Sequence, residues 1–263
     1  PYHGWTYRTD GRLTKTVGMK GIEDFKAKEN SLKPIHVDII DGFIFVNFSA
    51  SSPRVGLREW AGGMFGRVEE ITGGSSELEF VQRKTYSLDC NWKVFVDNYC
   101  DGGYHVPYAH GGLNSGIDFD TYKIERFDHW SMQSVSGAGQ NKRLGDAAAY
   151  GFLYPNFMVN RYGPWMDTNT VIPIGPKKTR VIFDYFLRKD LCGDEEFIKK
   201  SMEESDVVQQ EDEVLCAGVQ AGLDSGAYEQ GRYVPRFEGP MHCFHRLLYE
   251  DYTTTIHTVD VIS

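Results

Sequence analysis

Two histidines stand close to a group of acids between Asn91 and His110, in the sequence NWKVFVDNYCDGGYHVPYAH. His105 and His110 are five residues apart. On a regular helix this spacing turns the second ring roughly 140° away from the first. Both imidazoles therefore reach one ion only if the helix is deformed between them. Pro107 lies there and removes a backbone donor, and two consecutive glycines loosen the preceding turn. We expect a helix that breaks where its imidazoles meet a metal ion.

Acidic and amide residues precede these histidines on what would be the same helical face. Asn98, Asp101 and His105 are spaced i, i+3, i+7. A carboxylate one turn before a ligating histidine is well placed to accept the proton on the other ring nitrogen. Two isolated histidines would more often be ordinary residues of an aromatic-rich turn. Here the spacing, the proline and the acids occur together, and this combination favours a metal site.

A third protein ligand is expected from a second helix. Two histidines and one carboxylate on a single face are the ligand set of non-haem iron(II) oxygenases. The segment from Glu195 to Gly222 has helical spacing, and its apolar residues predict one buried stripe, formed by Val207, Val208, Val214, Leu215, Cys216 and Val219. Glu211 and Asp212 both fall inside that stripe, where an ionised carboxylate needs a partner or a metal. Angular position does not choose between them, and pairing of either one with a buried Arg or Lys is the alternative.

Composition indicates an ordinary globular protein. The chain has 263 residues, 41% of them hydrophobic and 25% charged, which is enough to bury a sizeable core. Its net charge of −9 disfavours nucleic acid and anionic membranes as partners. No run of 18 apolar residues occurs, so no membrane-spanning helix is expected. The five cysteines form no Cys-x-x-Cys pair, which is typical of reduced thiols.

The pattern of apolar residues predicts an α+β fold. Hairpins are expected at Thr6–Tyr7 with Leu13–Val17 and at Ile35–Ile40 with Phe43–Phe48, each about a glycine-containing turn. A polar break at 49–53 separates them from the rest. Helical spacing follows at 57–71. Alternating residues then predict five strands, at 77–88, 122–137, 152–161, 170–174 and 179–187.

The remaining segments are predicted to be irregular. Residues 138–149 are expected to form a loop near the pocket, and 235–263 to form turns and short helical or extended pieces. The sum is an antiparallel sheet with a long helix packed across it. The two ligand-bearing helices are expected to meet at the mouth of that sheet.

The first five residues, Pro-Tyr-His-Gly-Trp, resemble the second half of a Rieske iron–sulfur motif, in which Cys-x-x-His is followed by Gly-Trp. Along nearly its whole length the chain resembles the α subunit of Rieske non-haem iron oxygenases. The match is carried by PYHGWTY at 1–7, the segment at 91–110, YPNFMVNRYGPWMDTN at 154–169 and QEDEVLCAGVQAGL at 210–223. The segments DGGYHVPYAH and NRYGPWMDTN are similar in sequence to those of choline-oxidising members from plants and related organisms.

This resemblance implies three iron ligands and one cluster ligand. His105 and His110 match the iron-binding histidines of the family, and Asp212, in its Gln-Glu-Asp context, matches the third ligand. His3 matches a histidine ligand of the Rieske [2Fe–2S] cluster. Because the other three ligands of that cluster are not in this sequence, the chain alone is expected not to hold it.

The resemblance also implies an acid that links the Rieske histidine of one subunit to the iron site of the next. Asp101 is the best match for this acid. Many members of the family place the acid three residues before the first histidine, whereas here it is four residues before. Asn98 or Asp97 could therefore share this linking role.

The implied architecture is a helix-grip, START-like catalytic domain at residues 51–263, preceded at residues 1–50 by the C-terminal remnant of a β-rich Rieske domain. Family members usually form head-to-tail homotrimers. The implied cofactors are mononuclear non-haem Fe(II) and the Rieske [2Fe–2S] cluster. The implied electron donor is reduced ferredoxin or a similar protein.

The implied reaction is hydroxylation of choline by dioxygen, which gives betaine aldehyde through its hydrate in the first step of glycine betaine synthesis. Alternative substrates are another quaternary amine, such as carnitine or a betaine, or an aromatic ring. A remote alternative is a metal-free helix-grip domain that only binds a hydrophobic ligand. The expected compartment is the chloroplast stroma in a plant or alga and the cytoplasm otherwise.

A quaternary ammonium group has no proton to donate, so a site must hold it by cation–π contacts and remote acids. The subgroup-specific stretch supplies candidates for such a cage, namely Tyr154, Phe157, Tyr162 and Trp165. Aromatic residues at strand spacing are more often plain core. Asp167 is a candidate counter-charge, although an aspartate before Thr-Asn is as readily a turn residue.

Overall fold

The computed structural model describes residues 2–49, 52–53, 55–73, 77–111, 118–136 and 142–258. The chain divides into two compact units, Pro1–Trp60 and Ala61–Ser263. The boundary between the units lies at the end of helix α1 (Leu57–Trp60) and not at the polar break at 49–53. Residues 50 and 51 of that break lie outside the described part of the chain. The assignment of residues 1–50 to the end of a Rieske domain stays a prediction.

The first unit contains both predicted hairpins. Strands β1 (Thr6–Tyr7) and β2 (Leu13–Lys15) pair antiparallel, as do β3 (His36–Ile40) and β4 (Phe43–Asn47). The turn of the second hairpin is Asp41-Gly42, and both residues have positive φ, 48° and 80°. Two consecutive left-handed residues form the turn type that matches the twist of a tight hairpin. The local signals for these hairpins are confirmed.

The second unit begins with helix α2 (Met64–Thr72) and is dominated by one antiparallel sheet. Its strands are β5 (Leu78–Leu88), β6 (Lys123–Arg126), β7 (Trp130–Ser136), β8 (Ala147–Leu153), β9 (Phe157–Tyr162), β10 (Trp165–Gly175) and β11 (Lys178–Arg188). In the described residues their order across the sheet is β5-β11-β10-β9-β8-β7-β6. Helices α3 (Trp92–Cys100), α4 (Val106–Ala109), α5 (Glu195–Asp224) and α6 (Gly239–Thr258) complete the unit.

The sheet contains more turns than the sequence predicted. The predicted strand at 122–137 is two strands, β6 and β7, and the one at 152–161 is the end of β8 followed by β9. Pro155 lies in the turn between β8 and β9, and it has no N–H to donate to a sheet. Residues 147–149, which were expected in a loop, begin β8, while 137–141 lie outside the described part.

The helices also differ from their predicted bounds. The predicted helix at 57–71 is divided into α1 and α2 around Gly62, which has a φ of 53°. The C-terminal segment was expected as short pieces but forms the 20-residue helix α6. That helix buries Phe244, Leu247 and Leu248, so tertiary packing of one face outweighs its weak sequence pattern. None of the described helices is both long enough and apolar enough to cross a bilayer.

Helix α5 is the long helix that the sequence predicted, but the stripe assigned to its buried face is wrong. Val207, Val214 and Val219 are 54%, 73% and 52% exposed. The residues that α5 buries are mostly polar: Ser201, Met202, Ser205, Gln209, Cys216 and Gln220. Several of them face polar groups, whereas Met202 packs in the hydrophobic cluster around Trp165 and Tyr185. The Ser205 hydroxyl and the Tyr185 hydroxyl are 2.9 Å apart, and Gln220 Oε1 accepts the Asn91 N–H at 2.8 Å.

Candidate metal centre

The two histidines flank a short helix that follows a sharp break in the chain. Helix α3 is capped at its start by Asn91, whose side chain accepts the Lys93 N–H at 3.1 Å, and it ends at Cys100. Gly102 and Gly103 then adopt φ values of 75° and 73°, which favour glycine. A Cβ on Gly102 would lie 2.2 Å from the Phe237 carbonyl oxygen, so this position also needs the absence of a side chain.

The sequence predicts a helix break between the two histidines. In the structure the break precedes both of them. His105 is the N-terminal cap of α4 and His110 its C-terminal cap. Pro107 lies in the first turn of α4, where proline is tolerated because no helical acceptor exists for its missing N–H. Four helical residues separate the rings, and the caps turn both of them inward.

Helix α5 brings Asp212 to this histidine pair. His105 Nε2 lies 3.1 Å from His110 Nε2. Asp212 Oδ1 lies 3.6 Å from His105 Nε2 and 3.2 Å from His110 Nε2. Within the described residues these three side chains form a group that could hold a metal ion, with ligand atoms within 4.8 Å of one another.

These separations match the donor set of a first-row metal ion. Bonds of about 2.1 Å at right angles place neighbouring donor atoms about 3 Å apart. The three observed distances are 3.1, 3.2 and 3.6 Å. Without an ion, two imidazole nitrogens and a carboxylate oxygen would compete for the same protons. The residues present therefore fit a two-histidine, one-carboxylate centre with its remaining positions open.

A separate carboxylate holds the outer nitrogen of each ring. Asp101 Oδ2 accepts from His105 Nδ1 at 2.5 Å, and Glu211 Oε2 accepts from His110 Nδ1 at 2.7 Å. Protonation at Nδ1 leaves the Nε2 lone pair for a metal. Burial alone would lower the pKa of His110, but hydrogen bonds to Asp212 and Glu211 outweigh it and raise that pKa.

Both acids that the sequence left as alternatives on α5 therefore have a place in the site. Asp212 faces the Nε2 atoms, and Glu211 faces the outer nitrogen of His110. Neither pairing involves the buried Arg or Lys considered as an alternative. Asn98 Nδ2 donates to Asp212 Oδ1 at 2.8 Å. Asp97 lies away from the cluster, where its Oδ1 is 2.7 Å from Nε2 of His245.

Asp101 is also the cap of the broken helix. Its Oδ1 accepts the N–H groups of Gly103 at 2.8 Å and Tyr104 at 3.2 Å. Its Oδ2 accepts the N–H of His105 at 3.0 Å in addition to the His105 ring. One buried carboxylate thus fixes the turn, the backbone of the first histidine and its ring together.

A cavity of about 180 Å³ opens beside the cluster, between the sheet and helices α3 and α5. A row of paired positions crosses strands β7 to β10 along its wall: Gln133 opposite Tyr150, Tyr150 opposite Asn160, and Asn160 opposite Asp167. The other lining residues include the aromatic side chains Phe95, Tyr99, Tyr122, Tyr162 and Phe183. The cavity therefore combines aromatic surfaces with a few fixed polar groups, which is typical of small-molecule sites.

Asp167 is the buried acid of this wall and not a turn residue. Its carboxylate accepts hydrogen bonds from Asn160 Nδ2 at 2.7 Å, Asn169 Nδ2 at 2.7 Å and the Tyr162 hydroxyl at 2.8 Å. Burial raises the pKa of Asp167, and these three donors act in the opposite direction. Tyr99 extends the network by donating to Asn160 Oδ1 at 2.7 Å.

Of the four aromatic residues predicted for a substrate cage, Tyr162 lines the cavity. Trp165 is fully buried and stacks on Phe197 of α5, with ring centroids 6.1 Å apart. Tyr154 is buried elsewhere and donates to Asp251 Oδ2 at 2.7 Å. Neither these two residues nor Phe157 is among the described residues that line the cavity. His3 belongs to the first unit, in a 3₁₀ turn at Tyr2–Gly4.

Several cavity residues were missed by the sequence analysis, namely Tyr99, Tyr122, Gln133, Arg143, Tyr150, Asn160, Asn169, Phe183, Ser205 and Gln209. The available signal was the polar alternation Asn160-x-Tyr162 and Asp167-x-Asn169 on adjacent strands. Polar residues on one face of a strand normally indicate solvent. Here that face is covered by α3 and α5, so its polar groups line an interior space.

An antiparallel sheet crossed by a long helix, with two histidines and one aspartate brought together beside it, is suited to a metal-dependent catalytic domain. The family model described as the ring hydroxylating α subunit (catalytic domain) matches residues 75–253. The chain belongs to this family.

Two curated relatives and one solved structure illustrate what the chain is similar to. The chain is 50% identical to the chloroplastic choline monooxygenase of Arabidopsis thaliana, over 95% of this chain and 62% of that protein. It is 29% identical to the oxygenase subunit of carnitine monooxygenase of Escherichia coli K12, over 91% of this chain and 65% of that protein. A solved quaternary ammonium Rieske monooxygenase, described in connection with carnitine oxidation, is 25% identical with a TM-score of 0.76, covering 95% and 71% of the two chains. The chain thus spans about three fifths of the length of the curated relatives it matches.

Proposed function

We propose that the full-length protein is a Rieske-type monooxygenase that hydroxylates choline. The observation that carries this proposal is the pairing of a two-histidine, one-aspartate cluster with an aromatic cavity that contains a buried carboxylate. The two-histidine, one-aspartate cluster suits iron and dioxygen chemistry. The aromatic cavity with its carboxylate suits a ligand with a permanent positive charge. The likeness to choline monooxygenase supports the choice of choline among such ligands.

In this proposal His105, His110 and Asp212 hold a mononuclear Fe(II). The iron supplies the activation of dioxygen, with electrons from a Rieske [2Fe–2S] cluster. Asp101 and Glu211 orient the two imidazoles through their Nδ1 protons. Asn98 holds Asp212 through Oδ1. None of these three positioning residues needs to change protonation state for the ligand geometry to persist.

The cavity residues bind and orient choline. The aromatic walls face the trimethylammonium group, and Asp167 contributes a negative charge that its three donors keep in place. The carbon bearing the hydroxyl group then points toward the metal cluster. One oxygen atom of dioxygen enters a C–H bond of that carbon, and two electrons and two protons convert the other to water. The resulting gem-diol loses water to give betaine aldehyde.

Electron supply involves parts that lie beyond the catalytic domain. Residues 1–50 are proposed as the C-terminal part of the Rieske domain, with His3 as one cluster ligand. The proposed assembly is a head-to-tail homotrimer. In it the Rieske [2Fe–2S] cluster of one subunit supplies electrons to the iron site of the next subunit, and Asp101 links the two sites. Reduced ferredoxin or a similar protein is the proposed donor. In a plant or alga the proposed compartment is the chloroplast stroma, and otherwise the cytoplasm.

The test is a ferredoxin-coupled turnover assay on full-length protein after its iron and acid-labile sulfide have been measured. Choline, carnitine and an aromatic acid are compared as substrates, with His105→Ala as the inactive control. Formation of betaine aldehyde from choline, lost together with iron in the control, supports the proposal. If only carnitine or only the aromatic acid is turned over, that compound is the substrate and choline is not. Ligand binding with no iron in the wild-type protein would favour a metal-free binding domain.

A further inference from the structure

One cationic side chain lies among the residues that line the cavity, and neither the metal cluster nor the reaction uses it. Arg143 lines the cavity with its guanidinium carbon 5.4 Å from the centroid of the Tyr162 ring. A guanidinium at this distance from an aromatic face makes a cation–π contact. Arg143 is half-buried. A positive charge is therefore present in the space where a cationic substrate would bind.

The face of Tyr162 is a favourable place for a cation in this cavity. Its hydroxyl donates to Asp167 Oδ2 at 2.8 Å, so a negative charge lies at the edge of the same ring. Asp167 is held by two further donors and is buried. The ring quadrupole and the carboxylate attract the same charge, and poor hydration strengthens both attractions.

The backbone holds Arg143 at this position firmly. The next residue, Leu144, is buried in the hydrophobic cluster that also contains Tyr162 and Trp165. Gly145 and Gly163 bring the two chain segments into backbone contact, because a Cβ on Gly163 would lie 2.6 Å from the Arg143 carbonyl oxygen. Both glycines have positive φ, 66° and 47°. The backbone of Arg143 is thus fixed against the turn that follows Tyr162, whereas its side chain is only half-buried.

We propose that Arg143 occupies the cation site of the cavity and that a quaternary ammonium ligand binds by displacing it, which makes Arg143 a residue that sets the affinity of this site. This inference rests on the proposed function for its ligand class. A ligand with a permanent charge replaces one cation on Tyr162 by another and restores the balance with Asp167. A neutral ligand of the same shape displaces the guanidinium and restores nothing. Arg143 therefore lowers the affinity for every ligand that takes this site, and only a charged ligand regains the lost cation–π contact.

The competing role for Arg143 is to anchor an anionic group of the ligand. A guanidinium pairs well with a carboxylate, and carnitine carries one. The two roles predict opposite effects of removing the charge. If Arg143 occupies the cation site, its loss strengthens choline binding. If Arg143 is an anion anchor, its loss weakens carnitine binding and leaves choline unaffected.

The test measures dissociation constants by calorimetry on full-length, iron-loaded protein. The probes are tetramethylammonium, choline, carnitine and 3,3-dimethyl-1-butanol, which is the neutral isostere of choline. In Arg143→Gln we expect tetramethylammonium and choline to bind about tenfold tighter, the size of one buried cation–π contact. The neutral isostere should gain by about the same factor, because it displaces the same guanidinium from the Tyr162 ring. Arg143→Lys keeps the charge without the flat stacking surface and should fall between wild type and Arg143→Gln.

Lys142→Gln is the matched control, because it removes one positive charge from the adjacent, exposed residue. It should leave all four constants within about twofold of wild type. Unchanged or weaker binding of tetramethylammonium to Arg143→Gln would overturn the proposal, as would an equal gain in the control. So would failure of wild type and variant alike to bind tetramethylammonium.

The proposed function has a separate readout. If ammonium binding responds to Arg143 as expected but choline gives no product in the turnover assay, the hydroxylation proposal fails and this inference stands.

Discussion

Replacing Asp101 by asparagine should weaken metal binding without changing any metal ligand. The carboxylate accepts four hydrogen bonds, two of them on Oδ2 from the backbone and the ring of His105. Asp101→Asn keeps the shape of the side chain but supplies only one acceptor oxygen. The amide nitrogen would then face two donors of His105, or the two backbone donors of the preceding turn.

The magnitude follows from these contacts. Loss of the carboxylate that orients a ligating histidine costs about 10- to 100-fold in metal affinity, which corresponds to about 1.4 to 2.8 kcal/mol. Buried donors left without an acceptor add about 1 to 3 kcal/mol of lost folding stability. Asp101→Asn should therefore lower both the affinity of the cluster for a divalent metal and the free energy of unfolding.

The assay is an anaerobic Fe(II) titration of the metal-free protein against a competing chelator, with a urea unfolding curve to establish that the variant is folded. Asp97→Asn is the matched control. Asp97 lies on the same helix and also pairs with a histidine, His245, but it does not contact the cluster. We expect Asp97→Asn to leave the affinity within about twofold of wild type. A folded Asp101→Asn protein with wild-type affinity would refute the role assigned to Asp101.

Three further predictions concern the fold, the surface and the isolated chain. Gly102→Ala should destabilise the protein by at least about 2 kcal/mol, from its positive φ and the contact with the Phe237 carbonyl, while Gly73→Ala, which has positive φ in open space, should cost about 1 kcal/mol; equal urea midpoints would contradict this. Partial burial alone would raise the pKa of Asp206, but the hydrogen bond from Lys84 helps to lower that pKa. The ionised Asp206 therefore stabilises the folded protein above the pKa of a carboxyl in the unfolded chain, near pH 4. This stabilisation is lost as the pH falls through the lower pKa of Asp206 in the folded protein. The unfolding free energy of Asp206→Asn should therefore fall less between pH 5 and pH 2 than that of wild type, and parallel curves would be the contrary result. The 263-residue chain should bind iron without acid-labile sulfide and show no turnover; sulfide in the purified chain would contradict the assignment of residues 1–50.

Local patterns predicted much of this structure. The hairpins followed from turn residues between short apolar runs, and α5 from its helical spacing. The proximity of the histidines and α5 followed from the requirement that a metal has for several ligands. These features depend on residues near one another in sequence or on a strong chemical demand.

Other features depend on what covers a surface, which spacing does not reveal. The buried face of α5 includes polar residues, two of which, Ser205 and Gln209, line the cavity, whereas Val207 and Val214, which the sequence predicts inside, are exposed. The sequence indicated a helix break near Pro107, but the left-handed conformation of Gly102 places the break earlier. Arg143 gave no signal at all, because its position depends on a glycine contact with a distant turn.

The most direct test of the central claim is anomalous diffraction at the iron edge from crystals grown anaerobically with Fe(II). For the 263-residue chain we predict one iron peak per molecule, about 2.1 Å from Nε2 of His105, Nε2 of His110 and a carboxylate oxygen of Asp212. An iron peak bound by fewer than all three of these side chains, or bound only elsewhere on the chain, would contradict the account.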